Sequence, residues 1–185
     1  MRWRWVIRTV AVIGLIVVGI PVLLFSYVLL RYSDSKADVR RVIDSLTPED
    51  KALPPGASRI FRVPLWRGNR DAIVNRMIIY KIHPNAMSQS AWHMRSLCAL
   101  MVMPWRATEE ERNALMWREL YFGYEGYGLR FAAQTYFKKT LTELTDEEVV
   151  QLWTLAKSPN RFISKPRDFE RASTVDLNRW RAEAK

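Results

Sequence analysis

The chain has 185 residues, with 29 Lys and Arg against 19 Asp and Glu, a formal net charge of +10. That length accommodates one domain with an appendage rather than two full domains. A composition that is 49% hydrophobic and 12% aromatic excludes a disordered basic tail. A single cysteine, Cys98, excludes an internal disulfide framework and any metal site built from several cysteines. The positive charge indicates an anionic partner, either a nucleic acid or the phosphate surface of a membrane.

An uncharged apolar segment lies near the N-terminus, at positions 9–30. As a helix rising about 1.5 Å per residue it spans about 33 Å, enough to cross a hydrocarbon core of about 30 Å. A cleavable signal peptide would have an apolar region of roughly 7–15 residues followed by a small-residue cleavage site. The segment is longer and no such site follows, so we predict a transmembrane helix, with a tolerated kink at Pro21.

The segment before this span, 1–8, alternates Arg with Trp, a mixture typical of the headgroup region of a membrane. Three basic residues precede the span and four follow it closely, so the charge count leaves the orientation undecided. Residues 31–185 hold 26 basic and 19 acidic residues, which gives this part a charge of +7.

The rest of the chain predicts helices joined by short loops. Residues 37–46 indicate a short helix, and 47–70 indicate a loop region rich in Pro and Gly. Within that loop 60–66 is the only candidate strand, and Pro64 restricts it to an edge position or excludes it. Trp66, with arginine neighbours, either dips into the membrane interface or packs into the domain. Further helices are predicted at 70–82, 88–103 with a stop at Pro104, 108–120, 129–137, 145–157 and 168–181.

Two of these helices open with a capping-box spacing. Thr108 is followed three residues later by Glu111, and Thr145 in the same way by Glu148. Acidic residues in both first turns also suit the helix dipole.

A distinctive motif extends from 121 to 166. It opens with YFGYEGYG, continues with LRFAAQTYFKK and then reads LTELTDEE. Its order and spacing resemble the last third of the peptidoglycan glycosyltransferase domain, family 51, found in bifunctional penicillin-binding proteins and monofunctional transglycosylases. The positions in register are Tyr121, Phe122, Gly123, Tyr127, Gly128, Ala132, Ala133, Tyr136, Phe137, Lys139, Leu144, Thr145, Glu148, Ala156, Pro159 and Pro166.

Most of this motif is interpreted as architecture. The glycines allow a tight, close-packed turn, and the paired alanines permit close helix contact. The residues assigned this role are Glu111, Tyr121, Phe122, Gly123, Gly126, Tyr127, Gly128, Ala132, Ala133, Lys139 and Glu148.

The resemblance implies a mostly α, lysozyme-like glycosyltransferase domain behind the N-terminal transmembrane helix. We divide the chain into a basic, Trp-containing flank (1–8), the span (9–30), a juxtamembrane helix and loop region (31–69) and the helical domain (70–185). The implied location is the bacterial inner membrane, crossed once, with a cytoplasmic N-terminus and a periplasmic domain. No transpeptidase module is expected, because the chain ends soon after this domain.

The residues of the upstream motifs differ from the family pattern. Asn75 and Arg76 stand where the family has two Gln, and Ser96 stands where it has a functionally important Glu, next to a matching basic position at Arg95. The first family motif, which supplies the Glu believed to act as general base, has no counterpart. His83 and His93 are interpreted as ordinary helix-end and helix-face residues.

The family reaction needs a carboxylate to take a proton from the attacking hydroxyl and cations around the departing pyrophosphate. The candidates for a substitute carboxylate are Glu49, Asp50 and Asp71, although we favour the interpretation of each as a solvated surface acid or a helix cap. The candidates for pyrophosphate binding are Arg76, Arg95 and Arg106. A divalent metal ion is possible by resemblance alone, since no metal site can be placed.

Three hypotheses follow. The first is a membrane-anchored protein of cell-wall biogenesis that is catalytically degenerate and binds lipid-linked precursor, glycan or another cell-wall synthesis protein. The second is an active peptidoglycan polymerase with a diverged first motif. The third, a membrane-tethered nucleic-acid-binding protein, is disfavoured because no nucleic-acid motif is present and the Lys and Arg are scattered.

Overall fold

The computed structural model describes residues 2–31, 34–82 and 88–183, and within them the chain is helical with no strand. The helices are α1 (Arg2–Gly14), α2 (Ile20–Arg31), α3 (Asp34–Asp44), α4 (Pro48–Lys51), α5 (Pro55–Arg59), α6 (Pro64–Ile82), α7 (Gln89–Arg106), α8 (Glu109–Glu119), α9 (Leu129–Ala132), α10 (Asp146–Ala156), α11 (Pro159–Ser164) and α12 (Pro166–Glu183). Two π-helical turns (Leu15–Gly19 and Ala133–Phe137) and two 3₁₀ turns (Ile60–Arg62 and Leu141–Glu143) complete these elements. The predicted mostly α fold is confirmed.

The N-terminal elements form one apolar helix. Within it Ile7–Tyr27 has a mean hydropathy of 2.6, and its length and composition suffice to cross a membrane. The π-helical turn Leu15–Gly19 separates α1 from α2 and lies just before Pro21. Because proline lacks an amide hydrogen and crowds the preceding turn, a wider turn at this place accommodates its ring.

The prediction of a loop over 47–70 was wrong. Pro48 and Pro55 each occupy the first position of a short helix, and Pro64 begins α6. Proline favours this position, because its φ angle is already helical and its missing amide hydrogen would have no partner there. The candidate strand at 60–66 is likewise a 3₁₀ turn followed by the start of α6.

The predicted stop at Pro104 was also wrong, since α7 continues to Arg106. The proline lies in the last turn, where only one backbone hydrogen bond is lost. The amide of Ala107 still donates to the carbonyl of Met103 at 2.9 Å, and the extended conformation of Ala107 ends the helix. The last helix begins at Pro166 rather than at 168, again with proline at its start.

Both predicted capping boxes are confirmed. The amide of Glu111 donates to the Thr108 hydroxyl at 3.1 Å, and the amide of Thr108 donates to the Glu111 carboxylate at 2.9 Å. The corresponding distances for Thr145 and Glu148 are 3.2 and 2.8 Å. These reciprocal bonds satisfy amides that a helix leaves unpaired at its start.

An aromatic cluster forms the centre of the core. Phe61, Trp66 and Trp117 surround Trp153, with ring centroids 5.6 to 6.3 Å from that of Trp153. The Trp117 indole also donates to the carbonyl of Ala57 at 2.9 Å. The side chain of Trp66 is 1% exposed, so of its two interpretations the packing one is correct and the membrane-dipping one is wrong.

Candidate functional site

The segment 121–128 is a compact loop closed by its own backbone. Tyr121 and Tyr127 form an isolated antiparallel bridge, and their rings lie 5.2 Å apart. Gly123 has a φ of +86°, and a Cβ added there would overlap the Ile163 side chain. A Cβ at Gly126 would overlap the Phe131 ring. Side chains are thus excluded by close packing at both positions, and the backbone conformation further favours glycine at 123.

Two contacts join this loop to the helices that follow. The Tyr136 hydroxyl donates to the carbonyl of Phe122. The Lys139 ammonium lies 2.5 Å from the Glu148 carboxylate, which also accepts from the amide of Thr145. Partial burial acts to raise the pKa of Glu148, but these hydrogen bonds outweigh it and hold the pKa below its ordinary value. The carboxylate is therefore ionised at neutral pH and serves as a structural anchor.

A cavity of about 270 Å³ with a mixed polar and apolar lining lies beside this loop, and two of the three candidate acids, Glu49 and Asp50, line it. Its wall includes Arg118, Tyr127 and Arg130. The Glu49 side chain is 76% exposed and lies 3.4 Å from the Arg130 guanidinium. This geometry brings carboxylates, cations and a phenol together around a volume suited to a small polar group.

Asp50 is already engaged by its surroundings. Its carboxylate accepts from the amide of Thr47 at 2.9 Å and lies 3.4 Å from the Arg118 guanidinium. Partial burial acts to raise the pKa of Asp50, but the hydrogen bonds from Thr47 and the charge of Arg118 outweigh it and lower the pKa. A lowered pKa makes a carboxylate a weaker proton acceptor.

Asp71, the third candidate acid, contacts a buried arginine instead of a cavity. Arg70 is 0% exposed, and its Nε donates to the Asp71 carboxylate at 2.9 Å. Its Nη1 donates to Glu109 at 3.0 Å and to Asn113 at 2.7 Å, while its guanidinium lies 5.3 Å from the Phe61 ring centroid. Asp71 and Glu109 together neutralise a cation that lies inside the domain.

Sequence reasoning did not identify the role of Arg70. The missed signal was helical spacing, because Trp66, Arg70, Val74 and Ile78 are four residues apart and all buried. A helix begun at Pro64 would have placed Arg70 on the buried face.

The positions where the family resemblance places a Gln and a Glu lie against each other. The Asn75 amide donates to the Ser96 hydroxyl at 2.7 Å and to the Ser96 carbonyl at 3.1 Å. Asn75 is 6% exposed, and its Oδ1 has no hydrogen-bond partner among the described residues. These two side chains join α6 to α7 with a neutral pair and supply no carboxylate.

The three candidate pyrophosphate ligands lie on the same two helices. Arg76 follows Asn75 on the exposed side of α6, and Arg95 precedes Ser96 in a half-buried position on α7. Arg106 is exposed at the end of α7, where its carbonyl accepts from the Arg40 guanidinium at 3.3 Å.

Glu111 belongs to the framework around the start of α8. Besides its capping box it lies 3.3 Å from the Arg40 guanidinium and 3.7 Å from the Lys51 ammonium. Its side chain is 12% exposed. The contacts therefore join α3, α4 and α8 through one carboxylate.

His83 lies outside the described residues, while His93 is exposed with its ring edge-on to Trp92. Among the residues that the structure describes, no group of three or more His, Cys, Asp or Glu side chains could hold a metal ion.

Comparison with known proteins shows what part of this domain is similar to. Residues 115–181 match the sequence model of the family described as Transglycosylase, somewhat more than a third of the chain. The chain thus contains a peptidoglycan glycosyltransferase-like region, and the predicted resemblance and lysozyme-like fold are confirmed.

Two relatives share this similarity. The chain is 40% identical to penicillin-binding protein 1A of Escherichia coli (strain K12) over 55 residues. This stretch is 30% of the chain and 6% of that protein. The chain is 39% identical to penicillin-binding protein 1A of Haemophilus influenzae (strain ATCC 51907 / DSM 11121 / KW20 / Rd) over 70 residues. This stretch is 36% of the chain and 8% of that protein. The similarity therefore spans less than a tenth of either relative.

Proposed function

We propose that this chain is a membrane-anchored, peptidoglycan glycosyltransferase-like protein of cell-wall biogenesis in which catalysis is degenerate. It binds lipid-linked precursor, a glycan strand or another cell-wall synthesis protein. The hydrogen-bonded pair of Asn75 and Ser96 carries this proposal, because it supplies no carboxylate at the place where the family resemblance expects a functionally important Glu.

The surroundings of the candidate acids support the same view. Asp50 is held by a helix cap and by Arg118, and Asp71 by a buried arginine. Loss of a positioned general base alone costs on the order of 10²–10⁴ in rate. The retained cations still suit an anionic precursor, so binding without turnover is the expected behaviour.

The N-terminal helix supports anchoring. Its apolar segment has the length of a bilayer crossing, and a basic flank precedes it. By resemblance the N-terminus is cytoplasmic and the domain lies outside the inner membrane. Nucleic acid is not a proposed partner.

An active polymerase with a diverged first motif is the alternative, favoured by the cavity that holds Glu49 and Asp50 beside Tyr127. In that case Glu49 is the better proton acceptor, since it takes no part in a helix cap. The exposed Glu49 would act on a sugar hydroxyl bound in this cavity.

The deciding experiment incubates the purified chain in detergent with lipid-linked disaccharide and follows both binding and polymer formation. If catalysis is degenerate, we expect the chain to bind the precursor without forming polymer. Robust polymerisation would overturn it, and loss of polymer in Glu49→Gln would then support the alternative. Glu170→Gln, an exposed acid on α12 remote in sequence from the cavity residues, is the matched control.

A further inference from the structure

One side of α7 is an apolar surface that the described part of the domain leaves uncovered. Residues 97–105 read LCALMVMPW, without one polar side chain. The inward residues, Cys98, Ala99, Val102 and Met103, are buried. The outward residues, which we call the α7 apolar face, are Leu97, Leu100, Met101, Pro104 and Trp105. A helix that is apolar all round is normally enclosed on every side, by protein or by lipid.

The exposure of this face is substantial. Leu97 is 50% exposed, Leu100 is 44% exposed and Trp105 is 87% exposed. Their spacing of three to five residues places them along one side of the helix. Leaving such a surface in water is unfavourable in proportion to its area, so the face needs an apolar partner.

The position of the face points to a bilayer. Helix α7 contacts α2, the second half of the apolar N-terminal helix, and packs against α3, which follows it in the chain. If that N-terminal helix crosses a membrane, α7 is held where the crossing ends. The apolar face is then continuous with the lipid-facing surface of α2.

The charge around the face fits the phosphate surface of a membrane. From 72 to 108 the chain contains no acidic residue, whereas four basic residues, Arg76, Lys81, Arg95 and Arg106, lie in this interval. Of these, Lys81 is paired with Glu119 at 2.7 Å. Exposed Tyr80 on α6 and Trp105 on α7 add amphipathic rings. Aromatic rings and cations beside an apolar helix face are typical of segments that lie in the membrane interface.

We propose that the α7 apolar face lies in the lipid interface, so that the domain rests on the bilayer through α7 in addition to its N-terminal anchor. The occupant of the face is lipid: acyl chains contact Leu97 and Leu100, and headgroup phosphates contact the cations of α6 and α7. This inference rests on the proposed anchoring, but it concerns a surface that anchoring alone does not require to touch lipid.

The test uses the full chain with a single introduced thiol carrying an environment-sensitive fluorophore, in vesicles of phosphatidylethanolamine and phosphatidylglycerol. Leu100→Cys reports the face, and Val17→Cys reports the N-terminal helix. Val175→Cys, 59% exposed on α12, is the matched control. The native Cys98 is buried, and burial raises its thiol pKa, so the unaltered chain serves as the labelling blank.

Quenching by lipid-borne nitroxide and by aqueous iodide is then compared. We expect severalfold stronger nitroxide quenching at 100 than at 175, with the order reversed for iodide. Equal iodide quenching at 100 and 175, with position 17 quenched by lipid, would overturn the inference and leave anchoring intact. If lipid-borne nitroxide quenches the probe at position 100 but not the probe at position 17, the proposed anchoring is wrong and lipid contact of the α7 apolar face is supported.

Dilution distinguishes lipid contact of the α7 apolar face from self-association of the chain. At one chain per vesicle the lipid contact persists, and iodide protection at 100 is unchanged. If protection at 100 disappears on dilution, a second copy covers the face and the lipid assignment is wrong.

Discussion

At the scale of single residues, the difference between a polymerase and a binding protein depends on a few proton acceptors. The Asn75 amide donates to the Ser96 hydroxyl, and the carboxylates of Asp50 and Asp71 are paired with arginines. An acid that neutralises a nearby cation contributes to stability rather than to proton transfer. This assignment has measurable consequences for unfolding.

Replacing Arg70 tests the buried network. Arg70→Met removes the buried cation and its hydrogen bonds to Asp71, Glu109 and Asn113. Because the two carboxylates left behind are 32% and 46% exposed, we estimate a loss of about 1–3 kcal/mol. We expect that loss in the free energy of unfolding, measured by denaturant titration in detergent. Arg62→Met, at an exposed position, should change it by less than about 0.5 kcal/mol. Equal effects of the two variants would contradict the network.

The Glu148 carboxyl predicts a pH dependence. Its pKa in the folded protein is below the ordinary value of about 4.3. The stability it contributes is therefore fully present above that value and is lost as the pH falls through the folded pKa. Unfolding free energies measured from about pH 6 downward should fall less steeply in Glu148→Gln than in the unaltered chain. Identical slopes would show that Lys139 does not stabilise this carboxylate.

At the scale of elements, sequence patterns predicted well wherever a local contact decides the structure. The capping boxes at 108 and 145 were correct because their bonds join residues three positions apart. The prediction of a loop over 47–70 was wrong because prolines there begin helices. Whether a proline begins or ends an element depends on what the helix packs against.

Two glycines should respond in opposite directions to the same substitution. Gly123→Ala forces a methyl into Ile163 at a positive φ, a strain of order 1–3 kcal/mol. Gly68 lies inside α6 with nothing within 4 Å of an added Cβ, so Gly68→Ala should stabilise by roughly 0.5–1 kcal/mol. Thermal unfolding of both variants provides the measurement. Stabilisation by Gly123→Ala would refute the packing of the 121–128 loop.

At the scale of the whole molecule, the proposed attachment through the N-terminal helix can be tested directly. An integral helix resists extraction by alkaline carbonate and by salt, whereas a surface-bound basic protein is released when salt screens its charge. We expect the full chain to stay in the membrane fraction under both treatments, as judged by immunoblotting. Release by salt alone would limit the attachment to the +7 domain and the α7 apolar face.

The sequence by itself determined the helical class, the apolar span, the capping boxes and the glycosyltransferase-like motif. Each of these features is encoded by neighbouring residues or by a fixed spacing, so it can be predicted without knowing any contact between distant residues. Only the tertiary structure brought Asn75 to Ser96, buried Arg70 among Asp71, Glu109 and Asn113, and left one side of α7 uncovered. These features depend on which helices meet, and residues far apart along the chain determine that packing together.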